Sequence, residues 1–499
     1  MDVVSWMPFW ILMSSVVPGV VIFFLSDRHK GLRTALNMGG VTLKLILIGF
    51  MIAGLVKDQS YLFRLPLLPG MDLVLHADTM SVLIVALSGV LWFVTTLYAI
   101  AYLEDSPQPR SRFFGFFSLC VSATIGIALS GNLITFLIFY ELLTLSTYPL
   151  VVHRGTPNSM RAGKIYIAYT LTGGAALLIG VAWLRAIVGP LDFVQGGILS
   201  TWPAEYHNAF RAIFFFLIAG LGVKAAIVPL HGWLPNAMVA PAPVSALLHA
   251  VAVVKAGAFG IVRVVYDVFG IEFAAQLGLL APLAAVATVT IIYGSVRALS
   301  QDNLKKRLAF STVSQVSYIT LGAGILGPIA TIGGVVHLVH QGLMKITLFF
   351  CAGNLGETIG VHRVSEMNGV GRRMPLTMAA FTVGALGMIG VPPIAGFVSK
   401  WYLGTGGMAA GADWVIGVLA ASSLLNAMYF LPILHRVWFR EPDGKWARTR
   451  ASQRLETHWM LLLPPVLTAL LSLLAGLLAD APFSPLEWAR RIAEKEYLP

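Results

Sequence analysis

Residues 208–230 read NAFRAIFFFLIAGLGVKAAIVPL, an apolar run that carries a lysine, Lys224, and ends at a proline, Pro229. An α-helix rises ~1.5 Å per residue, so about 20 such residues cross the ~30 Å hydrocarbon core of a bilayer. A lysine within that length costs roughly 2.5–3.5 kcal/mol on insertion scales, and a proline removes a backbone donor and interrupts the helix. Irregular backbone at membrane depth is tolerated only where protein buries it or where it lines a polar cavity. The next stretch, HGWLPNAMVAPAPV over 231–244, adds Pro235, Pro241 and Pro243 and deepens the break.

Similar apolar blocks fill the rest of the chain. Of 499 residues, 57% are hydrophobic and only 11% charged, against about 25% charged in a soluble domain, so soluble enzymes and nucleic-acid binders are excluded. The expected class is all-α: a multi-pass membrane protein of about fourteen spans. The net charge of +11 comes from Lys and Arg placed mostly in the loops after odd-numbered spans. By the positive-inside rule those loops are cytoplasmic, and both termini lie outside a plasma (inner) membrane. The first apolar block follows only Asp2 and precedes Arg28, His29 and Lys30, the reverse of a signal peptide, and is expected to remain as the first span. Cys120 and Cys351 both fall inside spans with no C-x-x-C pair, so no disulfide, thiolate metal site, iron–sulfur centre or other cofactor is expected.

A second break stands in the twelfth span, about 376–402, where GVPPIAGFVSKW places Pro392 and Pro393 before Lys400. Five spans separate the two breaks, and an odd number of crossings makes spans 4–8 and 9–13 inverted repeats, each with a broken fourth helix. The expected division is a three-helix segment at 1–111, repeats at 112–267 and 268–439, and a last span with an amphipathic tail at 440–499.

Lys44, Lys224, Lys255, Lys345 and Lys400 lie inside spans, and Glu141 is the acidic residue placed well within one. Such residues mark ion pathways by default. Their net positive charge cannot all persist in a low-dielectric interior, so some are expected to be neutral at physiological pH and able to pass protons. In the eleventh span, HLVHQGLMK sets His337, Gln341 and Lys345 on one helical stripe with His340 beside it, and imidazole both accepts and donates protons near neutral pH. His249 lies six residues before Lys255 in the eighth span. A buried carboxylate must be paired or protonated, and Lys224 is the expected partner of Glu141. Lys44 has no marked polar neighbour in its span and receives no role.

Taken together, FYELLTLSTYPL around Glu141, KAAIVPLHGWLPNAM from Lys224, PVSALLHAVAVVKAG through His249 and Lys255, DNLKKRLAFSTVSQVSY from Asp302, the eleventh-span stripe and GVPPIAGFVSKW resemble one family. It is that of the proton-conducting antiporter-like subunits shared by respiratory complex I, membrane-bound hydrogenases and Mrp-type multisubunit sodium/proton antiporters. The resemblance runs over roughly residues 75–440 and is greatest to the Mrp D-type subunits. It implies a hydrated half-channel in each repeat, Glu141 and Lys224 as a coupled pair, Lys255 and the eleventh-span residues as a central relay, and Lys400 as the exit group. It further implies other membrane subunits, H+, Na+ and the lipid bilayer as partners, with no nucleic acid. A proton-pumping subunit of a redox complex is the alternative. Gln341 stands where many members carry a second histidine, which implies a relay rewired through water, and Lys400 departs from the type with an acid at that place.

Overall fold

The structure, a computed structural model, describes residues 2–104, 106–444 and 455–497. Helices α1 (Met7–Phe23) and α2 (Lys30–Leu55) precede a small sheet. Its strands are β1 (Asp2–Val4), β2 (Ser60–Leu68) and β3 (Met71–Ala77), in the order β1–β2–β3, parallel and then antiparallel. The all-α class holds, and this small sheet is its local exception among the described residues. Pro69–Gly70 closes the hairpin, with Gly70 at φ 74°, the left-handed position that a turn of this kind reserves for glycine.

Helices α3 (Thr79–Tyr102), α4 (Arg110–Ala128), α5 (Leu133–Val151) and α6 (Pro157–Val188) follow. Asp78, Asn132 and Thr156 cap α3, α5 and α6 by accepting from backbone N–H groups of their first turns, which fixes where these helices begin. The first broken span comprises α7 (His207–Lys224) and the short α8 (Trp233–Asn236). Next come α9 (Ala242–Ala250), α10 (Val253–Arg263) with a π-helical continuation over Val264–Phe269, and α11 (Ile271–Gln276). The chain continues through α12 (Leu280–Leu299), α13 (Leu304–Ala323), α14 (Pro328–Ile359) and α15 (Val370–Arg373). It closes with α16 (Pro375–Ile389), α17 (Ala395–Ala409), α18 (Trp414–Phe439), α19 (Trp459–Leu477) and α20 (Pro485–Tyr497).

Among the described residues eleven helices are long and apolar enough to cross a membrane. The expected tenth span forms as α13 but is not one of them, because Lys305, Lys306 and Arg307 open it and hydroxyl and amide side chains crowd the rest. Several of these hydroxyls, including Thr312 and Ser317, bond a carbonyl one turn back and so sit inside a bundle at little cost.

Burial separates an axis from a shell. The apolar windows of α9–α10 and α14 are 100% buried, whereas those of α6 and α18 are 33% buried and turn apolar side chains outward. In hydrocarbon, helices associate through close packing at small residues. Gly322 of α13 sits against Gly334 of α14, where an added Cβ would lie 2.7 Å from its Cα. The amphipathic α20 folds back onto α3: Trp488 Nε1 donates to the Thr79 carbonyl at 2.6 Å and Lys495 Nζ to Thr79 Oγ1 at 2.9 Å.

Candidate functional site

Lys224 is the last residue of α7, where the helix stops. Trp233 Nε1 donates to the Val223 carbonyl at 2.7 Å, and Thr290 Oγ1 accepts from the Val228 N–H at 3.1 Å, so part of the released backbone is satisfied by side chains. Ala226 holds φ 56°, a left-handed conformation rare outside glycine and found where surroundings over-determine the backbone. Lys224 Nζ donates to the Tyr140 carbonyl and lies 3.4 Å from the centre of the Tyr140 ring. The Tyr140 hydroxyl in turn donates to the Gly220 carbonyl at 2.9 Å, pinning α5 to α7.

Glu141 is the next residue of α5, half-buried, with its carboxylate over Gly174 of α6. Among the described residues Oε1 has no hydrogen-bond partner, and Glu141 and Lys224 form no direct ion pair. Glu141 follows Tyr140 in the chain and Lys224 bonds the Tyr140 carbonyl, so the expected partners are neighbours without a direct hydrogen bond.

His249 and Lys255 do not lie on one continuous helix. The eighth span unwinds at Val251 (φ −132°) and Ala252 (ψ −90°), with both N–H groups directed to the Leu247 carbonyl. His249 stacks on Phe349 of α14 with ring centroids 4.4 Å apart. Lys255 Nζ and both His249 ring nitrogens are buried without partners among the described residues. Gly257 brings α10 onto the end of α7, since a Cβ there would lie 2.6 Å from the Leu221 carbonyl oxygen.

In α14, His337, His340, Gln341 and Lys345 are all fully buried. His337 Nδ1 is 2.8 Å from Ser399 Oγ, one residue before Lys400, and its ring meets Tyr318 edge-on. Lys345 Nζ donates to Ser311 Oγ at 2.5 Å, Ser311 is 2.8 Å from the Tyr429 hydroxyl, and that hydroxyl donates to Asn426 Oδ1. Asn426 Nδ2 then donates to the Met388 carbonyl at 3.1 Å, which also accepts from Lys400 Nζ at 3.1 Å. Lys345 and Lys400 are thus joined by one unbroken chain of hydrogen bonds through α13 and α18. His340 and Gln341 stand apart from it; like Gln315 and Lys255, they are buried groups without side-chain partners among the described residues.

Lys400 completes its shell with the Ile389 carbonyl at 2.8 Å and Ser423 Oγ at 2.9 Å. Both carbonyls belong to the last turn of α16, the negative end of that helix's dipole, so the broken span makes a cation site. The ammonium also lies 5.6 Å from the Tyr318 ring centre. Tyr140, Ser311, Ser399, Ser423, Asn426 and Tyr429 were not singled out from sequence. Among the described residues there is no His, Cys, Asp and Glu group able to hold a metal.

A multi-pass helical bundle whose buried axis carries lysines and histidines beside broken helices defines an antiporter-like membrane subunit. The chain belongs to the transmembrane family described as NADH:quinone oxidoreductase/Mrp antiporter, which matches residues 130–426. It is 36% identical to the N-type subunit of the NADH-quinone oxidoreductase of Desulforudis audaxviator over 377 residues, 74% of this chain and 73% of that one. It is 30% identical to the D-type Na+/H+ antiporter subunit of Bacillus subtilis, covering 81% of this chain and 80% of that one. In fold it is similar to a chain of the Mrp complex from Dietzia sp. (TM-score 0.87, 22% identity, 99% of this chain and 97% of that one). A chain of respiratory complex I from Thermus thermophilus matches with TM-score 0.81, 21% identity, and 98% and 99% coverage.

Proposed function

We propose that this chain is the proton-translocating subunit of a multisubunit Na+/H+ antiporter, moving protons along Glu141, Lys224, His249, Lys255, His337, His340, Lys345 and Lys400. The observation that carries this reading is the hydrogen-bonded chain from Lys345 to Lys400, which ends on helix-end carbonyls suited to a cation. The B. subtilis relative supports the antiporter assignment, with 80% of its length covered.

A proton enters at Glu141 and charges Lys224, whose ammonium the Tyr140 carbonyl and ring hold at the end of α7. The break before Lys255 frees that segment from rigid helix, so His249 and Lys255 exchange protons through water that fills their unmet hydrogen-bonding capacity. Lys345 gives its proton through Ser311 and Tyr429 to water, because the Asn426 amide and the Met388 carbonyl beyond them position Lys400 but carry no proton, and Lys400 takes it up from water and releases it beside the α16 carbonyls. Spans 4–8 and 9–13 act as inverted repeats with both termini outside, and other membrane subunits complete the assembly.

The test is proton movement in vesicles holding the complete complex. Sodium-driven proton flux, lost in Lys224→Ala and Glu141→Ala while the complex still assembles, is the expected result; full flux in either variant refutes the relay. The relative named as a quinone oxidoreductase subunit favours a second reading, a pumping subunit of a redox complex. Proton movement that follows NADH or another reductant, and ignores sodium, would select it.

A further inference from the structure

Lys44 lies outside the row from Glu141 to Lys400, yet it is fully buried in α2. Its Nζ donates to Ser15 Oγ of α1 at 2.6 Å and lies 4.6 Å from the Trp92 ring centre of α3. Ser122 of α4 donates to the same Ser15 oxygen at 2.8 Å. An amine is therefore held at membrane depth by a hydroxyl and a ring face.

Below it runs a column of polar groups along one stripe of α2 and the facing stripe of α4. At the rim, Arg33 reaches Asp27 at 3.3 Å and Ser111 at 3.1 Å, and the Asp27 side chain is 44% exposed. One turn deeper, Asn37 Nδ2 donates to the Arg33 carbonyl at 3.0 Å, and Ser118 donates to Asn37 Oδ1 at 3.3 Å. Deeper still, Gly40 faces the Ser14 carbonyl, where an added Cβ would lie 2.6 Å from that oxygen. Pro18, four residues on from Ser14, has no N–H to give this carbonyl its usual helical bond. Lys44 comes next. From Arg33 to Lys44 the helix rises about 16 Å, half the hydrocarbon thickness.

A second observation points to what fills the column. Ser88, Trp92 and Thr96 share one stripe of α3 on the Lys44 side, all fully buried, and Ser88 Oγ, Trp92 Nε1 and Thr96 Oγ1 have no partner among the described residues. Buried donors and acceptors left without protein partners are met by ordered water.

We propose that α1–α4 enclose a hydrated half-channel leading from the Asp27–Arg33 rim to Lys44, which binds a proton at its closed end. A hydronium ion in the column gives its proton to neutral Lys44 Nζ, forming an N–H bond as the O–H bond breaks and leaving water; the return is the reverse. The charged groups facing the path are Asp27 and Arg33, with Arg110 beside Arg33. The half-channel is a proton-binding branch of this subunit separate from its two broken helices.

The experiment uses the complete complex in vesicles. Asn37→Cys and Ser118→Cys are challenged with a small charged thiosulfonate from the aqueous side, beside Leu43→Cys on the exposed face of α2, with the unsubstituted chain reporting on buried Cys120 and Cys351. Labelling of both column positions at least tenfold faster than Leu43→Cys is expected, together with a changed pH profile of proton flux in Lys44→Met and also in Lys44→Arg, whose guanidinium keeps its proton and cannot exchange it. Labelling no faster than at Leu43, or an unchanged pH profile in Lys44→Met, overturns the proposal. Labelling needs no transport, so its outcome stands whether the complex is driven by sodium or by redox chemistry.

Discussion

Replacing Tyr429 by phenylalanine removes one oxygen from the chain between Lys345 and Lys400 and changes little else. The ring stays fully buried against Phe430, but Asn426 Oδ1 loses its donor and Ser311 loses its neighbour at 2.8 Å. A buried polar group left unsatisfied costs about 1–3 kcal/mol, against a total stability of roughly 5–15 kcal/mol, so the variant folds. If the hydroxyl carries charge between the lysines, losing a bond worth about 1.4 kcal/mol in the transfer step slows it about tenfold. The assay is initial proton flux into vesicles containing the assembled complex, normalised to complex content. Thr312→Val is the control: it removes a hydroxyl from the same helix as Ser311, one bonded only to the Leu308 carbonyl of its own turn. Flux about tenfold down in Tyr429→Phe, near normal in Thr312→Val and retained in Ser311→Thr is expected. Unchanged flux in Tyr429→Phe, or an equal loss in Thr312→Val, refutes the wire.

Gly257→Leu forces a side chain onto the end of α7; overpacking of this kind costs about 1–3 kcal/mol or more, and a lower Tm with displaced Lys224 chemistry should appear as lost flux in the assembled complex. Arg263 binds Asp78 at 2.7 and 2.8 Å and Asp267 at 2.9 Å; Arg263→Ala leaves the buried Asp267 and the part-buried Asp78 uncompensated, at about 3–5 kcal/mol, and should lower the Tm far more than Arg263→Lys. Glu496 of α20 is pushed up to about 8 by burial and by the nearby negative charge of Asp267. Between its ordinary value and about 8 the docked helix holds a proton that the released helix gives up, so docking weakens as pH rises through that window. Hydrogen exchange of α20, corrected for intrinsic rate, should therefore quicken from about pH 5 to pH 8.5, and Glu496→Gln should flatten the change.

The membrane class and the two proline breaks were legible because each rests on a local rule: block length, and a missing N–H at Pro229 and Pro392–Pro393. The row of lysines was legible because charge in an apolar block stands out. The break at Val251–Ala252 was not, since the chain there is VAVVKAG with neither proline nor a capping residue, and packing against α14 decides its course. The hairpin had a signal that went unused: alternating apolar residues on both sides of Pro69–Gly70. The Ser311–Tyr429–Asn426 chain gave none, because a serine and a tyrosine 118 residues apart look like ordinary interior residues until the fold brings their hydroxyls together. For the same reason Lys44 looked isolated: its partners, Ser15 and Trp92, lie on α1 and α3.

The clasp between α20 and α3 also sets an order of events during synthesis. Thr79 leaves the ribosome early, but Trp488, which caps its carbonyl, follows 409 positions later. Until then the Thr79 carbonyl and hydroxyl lack the two side-chain donors that α20 brings them. A chain that ended before residue 485 would keep every described helix long and apolar enough to cross a membrane and would lack this clasp.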